Sequence, residues 1–458
     1  MRSWINIALI LVLVFSIGCG KVFQKATKDD SNSTPIVIST NLTPPSSFST
    51  LGDPKVATMN ITGINSSFLL IVNEDKNVYD SLPGSIGLIS TDLGDNVVGL
   101  AEQKDQVGFK SRMSCITGDC SKLNTLKNKK NRNLNLLSLP PNLKSFYISP
   151  SSSNNYNSQG ILEYNKSPVI IYREVGVNFS SSLITEVGDQ LNSYYADIIN
   201  IYGKPSDLDL NGSIIIYLGN LNKTGVTGLA GFVSTSDLLN NNEEVLYANG
   251  FDGNNKDLSA KEIVKTIIHE FNHLIVLNKR LIEKGIEENI DIWISEGIAE
   301  HSIDVVMKEP LDGHYNSISE NHSFFIWKSE AIQYHLAYLF FKYLSIHYLD
   351  DKSIQDIYLN VKSNYLAIEE ALQQKYPSLS FDDLYRDFLI TNYIQNVSGK
   401  YSYNGVFKKR EITKMANVID NLGLSSGERF IINLNKTQLD KFQPQKTSAT
   451  MAFYKIFN

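Results

Sequence analysis

Two histidines four residues apart inside an apolar helical repeat constrain this chain more than any other feature. They belong to an H-E-x-x-H motif that reads His269-Glu270-Phe271-Asn272-His273. Apolar residues recur around the motif at three- and four-residue steps, which predicts a helix buried on one side. The repeat consists of Ile263, Val264, Ile267, Ile268, Phe271, Leu274 and Ile275. Residues four apart share a helix face, so both imidazoles can hold one Zn²⁺ at about 2.0–2.1 Å. The motif predicts a metal site.

Three glutamates complete the predicted site. A catalytic zinc usually has three protein ligands and one position left for water. The helical stretch that follows the motif carries Glu296 and Glu300 on one face. Glu296 is the predicted third ligand, and Glu300 is the predicted carboxylate that accepts the free N–H of a ligating histidine. A surface salt bridge is the alternative for Glu300. Glu270 directly follows His269 and is placed to act as general base toward a metal-activated water.

The stretches 269–273 and 293–300 resemble the gluzincins, the thermolysin-like metallopeptidases that hold zinc with two histidines and a glutamate. Within that group the chain most resembles the hyicolysin-type neutral metalloproteases of bacteria. The likeness extends to 228–236, 245–249 and 334–344. It implies an α+β fold in which a β-containing upper lobe, a zinc helix and a helical lower lobe form the metallopeptidase domain. It also implies one catalytic Zn²⁺ and protein or peptide substrates.

The resemblance also suggests a residue that stabilises the oxyanion of the tetrahedral intermediate. Tyr334 lies at the matching point of a Tyr-x-x-Ala-Tyr-Leu-Phe pattern, with His335 as second choice and a core or groove tyrosine as the alternative. His314 and His322 are predicted to be loop histidines, because two histidines and a glutamate already fill the site. Ser295 replaces the Asn that is frequent in relatives, but it lies beside the predicted ligand.

Residues 1–18 predict export. A basic start precedes an apolar core at Ile5–Ile17 that is too short to span a bilayer. The run Ser16-Ile17-Gly18-Cys19 resembles a bacterial lipoprotein signal, although Ser16 stands where Leu is usual. We therefore expect cleavage before a lipidated Cys19 and a bacterial membrane-anchored lipoprotein, or cell-surface protein, whose membrane contact is the lipid. Without lipidation the protein would be secreted.

The other cysteines and the net charge narrow the class of function. Cys115 and Cys120 predict a disulfide across a tight turn in an oxidising compartment. A metal site is the alternative, but no histidine or further cysteine is nearby in the sequence. The net charge is −6, and the basic cluster Lys127–Arg132 has no interleaved aromatic residues, which argues against nucleic-acid binding. That cluster is either a processing site or part of a solvated linker.

Composition divides the chain into six segments. Residues 19–50 are rich in Ser, Thr, Asn and Pro and cannot bury enough apolar surface to fold. The predicted segments are a signal peptide (1–18), a lipidated flexible tether (19–50), a small β-sandwich-like module (51–120), a linker (121–158), a zinc metallopeptidase domain (159–398) and a small C-terminal β region (399–458).

The expected function is hydrolysis of peptide bonds in extracellular or envelope proteins. In the enzymes that this chain resembles, an edge strand lining the cleft pairs with extended substrate. Ser213–Leu218 and Val245–Asn249 are both candidates for that strand. The alternative function is a surface adhesin or matrix-binding lipoprotein that keeps the zinc site as a scaffold, and a zinc hydrolase of non-peptide bonds is a third. The presence of Glu270 favours the peptidase, since a structural site does not need that carboxylate.

Overall fold

A computed structural model describes most of the chain between residues 51 and 458. The described residues are 51–52, 55–62, 64, 66–76, 84–85, 142–151, 154–226, 228–233, 243–286, 288–317, 323–328, 330–410, 423–424, 426–442, 447–448 and 450–458. The predicted signal peptide and tether, Cys19, Cys115, Cys120, His322 and the cluster Lys127–Arg132 lie outside them. Within these ranges no helix has the length and apolar character needed to cross a membrane.

Helices and strands both contribute to the fold, as the α+β prediction requires. The strands are β1 (Leu51–Gly52), β2 (Lys55–Asn60), β3 (Phe68–Asn73), β4 (Gly84–Ser85), β5 (Leu143–Ser151), β6 (Asn154–Lys166), β7 (Val169–Glu174), β8 (Ile214–Gly219), β9 (Gly231–Phe232), β10 (Val245–Asn249), β11 (Gly423–Leu424), β12 (Arg429–Asn433), β13 (Thr447–Ser448) and β14 (Met451–Phe457). The α-helices are α1 (Ser181–Tyr202), α2 (Ala260–Leu277), α3 (Ile292–Met307), α4 (Asp312–Ser317), α5 (Ala331–His347), α6 (Gln355–Tyr358), α7 (Tyr365–Gln373), α8 (Phe381–Ile394) and α9 (Lys436–Lys441). A 3₁₀ turn covers Leu221–Thr224, and a π-helical turn, Asn278–Glu283, continues α2.

Continuous apolar runs form the centre of a six-stranded sheet with the order β5-β6-β7-β8-β10-β9. Strands β7, β8 and β10 pair in parallel, and the other neighbours pair antiparallel. Every side chain of β8 and β10 is buried, as expected for strands that are covered on both faces. In β8, Ile214 and Ile216 join the main core with α1 and α2, whereas Ile215 and Tyr217 belong to a separate cluster.

The edge strand of this sheet beside α2 is β9, among the residues that the structure describes. Both sequence candidates for a substrate-pairing edge are therefore wrong. Strand β8 lies between β7 and β10, and β10 lies between β8 and β9. Both candidates are continuous apolar runs, and such runs are typical of interior strands that are buried on both faces. An edge strand facing a cleft does not need this composition. Strand β9 has only two residues and leaves no such pattern.

Two capped helices cover one face of the sheet. Helix α1 begins where the Ser180 hydroxyl accepts a hydrogen bond from the Leu183 N–H. Helix α2 begins with a capping box formed by Ser259 and Glu262, which satisfies otherwise unpaired N–H groups. The predicted apolar repeat of α2 is fully buried. Helix α2 contacts α1, β9 and β10, so the H-E-x-x-H turn is fixed against the sheet.

The helices after α2 enclose an aromatic core. Trp293 is completely buried and lies with its ring 4.9 Å from that of Phe324 and 5.7 Å from that of Phe340. Gly297 lets α5 approach α3 closely, since an added Cβ would lie 2.6 Å from the ring of Phe341 and 3.1 Å from Ala337. The Trp and Gly that flank Glu296 in the sequence therefore set the position of α3 against α5.

The two ends of the described chain meet in one sheet. Its order is β12-β3-β14-β2, and every side chain of β3 is buried. Segments 51–120 and 399–458, which the sequence predicts as two separate β regions, therefore contribute to a common four-stranded sheet. The pairing joins residues far apart in the chain, such as Ile71 with Phe453, and such pairing leaves no mark in either segment alone.

The six-stranded sheet also begins earlier than predicted. Strand β5 and the first five of the 13 residues of β6 lie within 121–158, the predicted linker. The polar residues in β5 alternate with Phe146 and Ile148, which are buried. Alternation of this kind is typical of a strand with one buried face, and the many polar residues of the segment obscured it.

Candidate metal centre

Three side chains from α2 and α3 converge at one point. His269 Nε2 lies 3.1 Å from His273 Nε2 and 3.1 Å from Glu296 Oε2, and His273 Nε2 lies 3.5 Å from the same oxygen. Each of the three residues is at most 9% exposed. Two imidazole nitrogens and one carboxylate oxygen are a donor set of catalytic zinc sites. Over the described ranges, they form the group of His, Cys, Asp and Glu side chains that could hold a metal ion.

The second ring nitrogen of each histidine has its own partner. His269 Nδ1 lies 3.1 Å from Glu300 Oε1, and His273 Nδ1 lies 3.2 Å from Ser295 Oγ. A carboxylate accepts a hydrogen bond, so Glu300 places the proton of neutral His269 on Nδ1 and leaves the Nε2 lone pair for a metal. The same tautomer of His273 donates to Ser295. The residues present therefore fit a zinc ion.

Glu300 has a second imidazole partner that sequence reasoning missed. His314 Nε2 lies 3.0 Å from Glu300 Oε2, so the carboxylate bridges His269 and His314. His314 was predicted as a loop histidine, but it lies on the short helix α4. Its ring lies 4.2 Å from the ring of His335. Nothing in the local sequence could reveal this contact, because α4 reaches Glu300 only through the packing of α3, α4 and α5.

The predicted general base lies beneath the edge strand. Glu270 is 7% exposed. Gly231 of β9 lies directly over it, since an added Cβ there would be 2.9 Å from Glu270 Cγ and 2.7 Å from Thr266 Cγ2. Burial raises the pKa of Glu270, against the opposing attraction of His269 and His273. The carboxylate thus lies between the sheet edge and the two histidines.

His269 and the two carboxylates that face it have shifted pKa values with identifiable causes. Burial alone would raise the pKa of Glu296, but attraction and hydrogen bonding from His273 and His269 lower it to about 2. The pKa of Glu300 is also lowered, because the hydrogen bonds to His269 and His314 outweigh burial. Burial acts to lower the pKa of His269, yet its bonds to both carboxylates raise it well above the ordinary value. Both carboxylates therefore stay charged beside the imidazoles.

The two candidates for oxyanion stabilisation have different surroundings. Tyr334 is half-buried, and its ring packs edge-on against Trp327 at 4.8 Å. The His335 ring packs at a tilt against that of His314 and is thereby connected to Glu300. Burial, followed by the neighbouring His314, lowers the pKa of His335 to about 4, so this imidazole is neutral near pH 7. The role of Tyr334 stays a prediction.

The connection between the two ligand-bearing helices contains a second buried polar cluster, the arginine anchor. Arg280 is 4% exposed and donates four hydrogen bonds of 2.8–2.9 Å. The acceptors are the carbonyls of Tyr358, Asn360 and Glu288 and the hydroxyl of Ser363. Burial lowers the pKa of this guanidinium. Nothing in the local sequence distinguishes Arg280, because its acceptors are mostly backbone groups.

Two buried histidines, a glutamate and an adjacent buried glutamate define a protein with a candidate metallohydrolase centre. The comparisons with known proteins agree with that class. No model of a protein family matches the chain. A curated relative, the neutral metalloprotease ShpI of Staphylococcus hyicus, is 28% identical over 227 residues, covering 44% of this chain and 51% of the relative. The match supports a metalloprotease family, and with it a protease that uses a metal, usually zinc. The chain spans about half the length of this relative.

Proposed function

We propose that the protein is an exported zinc endopeptidase of the gluzincin type, which hydrolyses peptide bonds in extracellular or envelope proteins. The observation that carries the proposal is the convergence of His269, His273 and Glu296 beside the buried carboxylate of Glu270. The proposal includes a thermolysin-like arrangement, with the six-stranded sheet in an upper lobe and the helices from α3 onward in a lower one. The position of Gly231 against Glu270 supports it, because the sheet edge then borders the site.

Each residue of the site has its own role in the proposed hydrolysis. Bound to His269, His273 and Glu296, zinc would supply a Lewis acid that polarises the scissile carbonyl and acidifies water. Glu270 accepts a proton from the attacking water on its carboxylate and delivers that proton to the nitrogen of the departing amine. Glu300 keeps the Nδ1 proton of His269 directed away from the site. The low exposure of all these groups excludes bulk water and strengthens their electrostatic interactions.

Strand β9 is the proposed contact for the substrate backbone. It is the sheet edge beside α2, and an extended peptide can add to such an edge through main-chain hydrogen bonds. Gly231 allows the peptide to run close to Glu270, because the position carries no side chain between the edge and the carboxylate. A Gly231→Val substitution should lower peptidase activity by displacing Glu270 while leaving the ligands His269, His273 and Glu296 in place.

The test of the proposal is cleavage of an unfolded general protein substrate by the purified protein with and without a zinc chelator. We expect wild type to cut only without the chelator, and Glu270→Gln to keep one zinc yet lose about 10³-fold in activity. Glu309→Gln is the matched control, since Glu309 forms an ion pair with Lys261 in which both side chains are about half exposed. Undiminished cleavage by Glu270→Gln would remove Glu270 from the mechanism. Zinc binding without any cleavage by wild type would favour the adhesin alternative.

Export and anchoring are proposed from the sequence of residues 1–19. The protein should be found in the membrane fraction through acyl chains on Cys19, and Cys19→Ser should release it. A mass spectrum of the N-terminal peptide would decide, since an unmodified Cys19 in the membrane-bound form contradicts the anchor. The disulfide between Cys115 and Cys120 belongs to the same proposal.

A further inference from the structure

The bridge from His269 through Glu300 to His314 extends the metal centre by one residue. Glu300 uses one oxygen for each imidazole, with Oε1 3.1 Å from His269 Nδ1 and Oε2 3.0 Å from His314 Nε2. The Glu300 side chain is only 14% exposed. A buried carboxylate held at one oxygen can still rotate about its last torsion, whereas one held at both oxygens has a fixed plane. His314 therefore determines the direction in which Oε1 faces His269.

His314 is itself held on two sides. Its ring lies 4.2 Å from that of His335 and 5.5 Å from that of Tyr338, which meets it edge-on. Tyr338 is fixed in turn, since its hydroxyl donates to Asp304 Oδ2 at 2.7 Å and accepts from the Leu311 N–H at 3.0 Å. Helix α4 follows Leu311 directly. The imidazole of His314 thus has a defined orientation toward Glu300.

We propose that His314 is a positioning residue for the metal centre, which orients the ligand His269 by donating a hydrogen bond from Nε2 to Glu300. The inference rests on the proposed function, because it assumes that His269 holds zinc. Outer carboxylates that orient metal-bound histidines typically contribute 10–100-fold to metal affinity. His314 acts one step further out, through Glu300, so its removal should weaken zinc binding by about tenfold.

Two substitutions separate the hydrogen bond from the packing of the ring. In His314→Phe, a ring can still pack against His335 but cannot donate to Glu300. In His314→Gln, the side-chain amide can still donate to Glu300 but no ring remains. Zinc affinity measured by competition with a chromogenic chelator should fall about tenfold in His314→Phe and by less than about threefold in His314→Gln. The apparent melting temperature of each metal-free variant is measured alongside.

His347→Ala is the matched control. His347 lies on α5, but its Nε2 is 2.7 Å from the Ser402 carbonyl and not beside Glu300. It should leave zinc affinity unchanged. Equal affinity of His314→Phe and wild type, or weaker binding by Gln than by Phe, would overturn the inference and make His314 a packing residue. If the Phe variant does not fold, His314→Ala takes its place in the comparison with Gln. Failure of wild type to bind zinc would instead contradict the proposed function.

Discussion

The metal centre and the arginine anchor are two buried polar clusters in the same part of the chain, formed by α2, α3 and the connection between them. Their hydrogen bonding differs. In the arginine anchor, one cation donates four hydrogen bonds to acceptors that belong to the fold itself. In the metal centre, His269, His273 and Glu296 direct lone-pair atoms at one another over 3.1–3.5 Å. The donors of the anchor find their acceptors within the chain. In the metal centre, three lone-pair atoms face one another, and a cation between them would satisfy all three.

This difference separates a structural site from a functional one. Buried polar groups are retained when each has a partner, and the anchor meets that condition with backbone carbonyls. The metal centre meets it only when a proton or a metal ion occupies the point of convergence. Its outer residues, Glu300 and Ser295, contact the second ring nitrogen of each histidine and so fix the orientation of the rings. Substitutions in the anchor should therefore change folding, and those in the metal centre should change zinc binding and activity.

The largest expected effect on stability comes from breaking the anchor. Arg280→Met leaves three backbone carbonyls and the Ser363 hydroxyl without their donor in a buried region, which should lower the free energy of unfolding by about 3 kcal/mol. The measurement is urea unfolding of the metal-free protein. Lys261→Met is the control, since this exposed ion pair contributes less than about 1 kcal/mol. A loss as small in Arg280→Met as in the control would show that the carbonyls find other donors.

The next largest effect comes from occupying the metal centre. Zinc at about 100 times its Kd should stabilise the folded protein by about 2.7 kcal/mol if it binds only the folded state. Thermal unfolding with zinc and with chelator measures this difference. His273→Ala should abolish the zinc-dependent shift, whereas Arg280→Met should keep it despite lower stability. A zinc shift that survives in His273→Ala would place the bound ion elsewhere.

A smaller effect should follow pH in the metal-free protein. The pKa of His269 is raised above its ordinary value of 6.5, so its contribution to stability is complete below pH 6.5 and is lost as the pH rises through the raised pKa. The pKa of Glu296 is lowered from 4.5 to about 2, so its contribution is present above pH 4.5 and is lost as the pH falls toward 2. The cluster should stabilise the metal-free fold most between pH 4.5 and 6.5.

Zinc should reverse the alkaline part of that profile. Zinc binding requires neutral histidines, so the stabilisation that it provides should grow as the pH rises above 6.5. Melting temperatures from pH 4 to pH 9, with zinc and with chelator, test both trends. His269→Gln should remove the alkaline decline of the metal-free form, and Arg280, which stays charged throughout, should contribute none of it. An unchanged decline in His269→Gln would assign it to another group.

The sequence predicted those features that depend on residues close together in the chain. The apolar repeat around His269 and His273 is buried as expected. The position of Glu296 with the two histidines also follows from spacing, because the chain between them is long enough for one turn and a returning helix. Patterns with a period of 3.6 residues record burial of one helix face, and burial is what fixes these side chains.

What the sequence did not predict depends on contacts between distant segments. His314 meets Glu300 only because α3, α4 and α5 pack together, and a histidine on a short helix has no distinctive pattern. Arg280 was missed because backbone carbonyls are available at every residue and leave no sequence trace. The edge position of Gly231 depends on strand order, which periodicity does not encode. The merged terminal sheet has the same cause, since β3 and β14 come from opposite ends of the described chain.

The smallest expected effect concerns the support of the second histidine. Ser295 faces His273 through a neutral hydroxyl at 3.2 Å, whereas Glu300 faces His269 through a charged carboxylate. Hydrogen bonds to charged groups are roughly twice as strong as neutral ones. Ser295→Ala should therefore weaken zinc binding by about 1 kcal/mol, or roughly fivefold, while Glu300→Ala weakens it more.

Ser295→Asn should bind zinc within about twofold of wild type, because an amide oxygen can accept from His273 Nδ1 as the hydroxyl does. Chelator competition on the three variants at one pH measures the order. If Ser295→Ala weakens binding as much as Glu300→Ala, the charge on Glu300 does not distinguish the two supports. Both supports would then act only by orienting the imidazole ring. The charge of Glu300 would affect the pKa of His269 but not the strength of zinc binding.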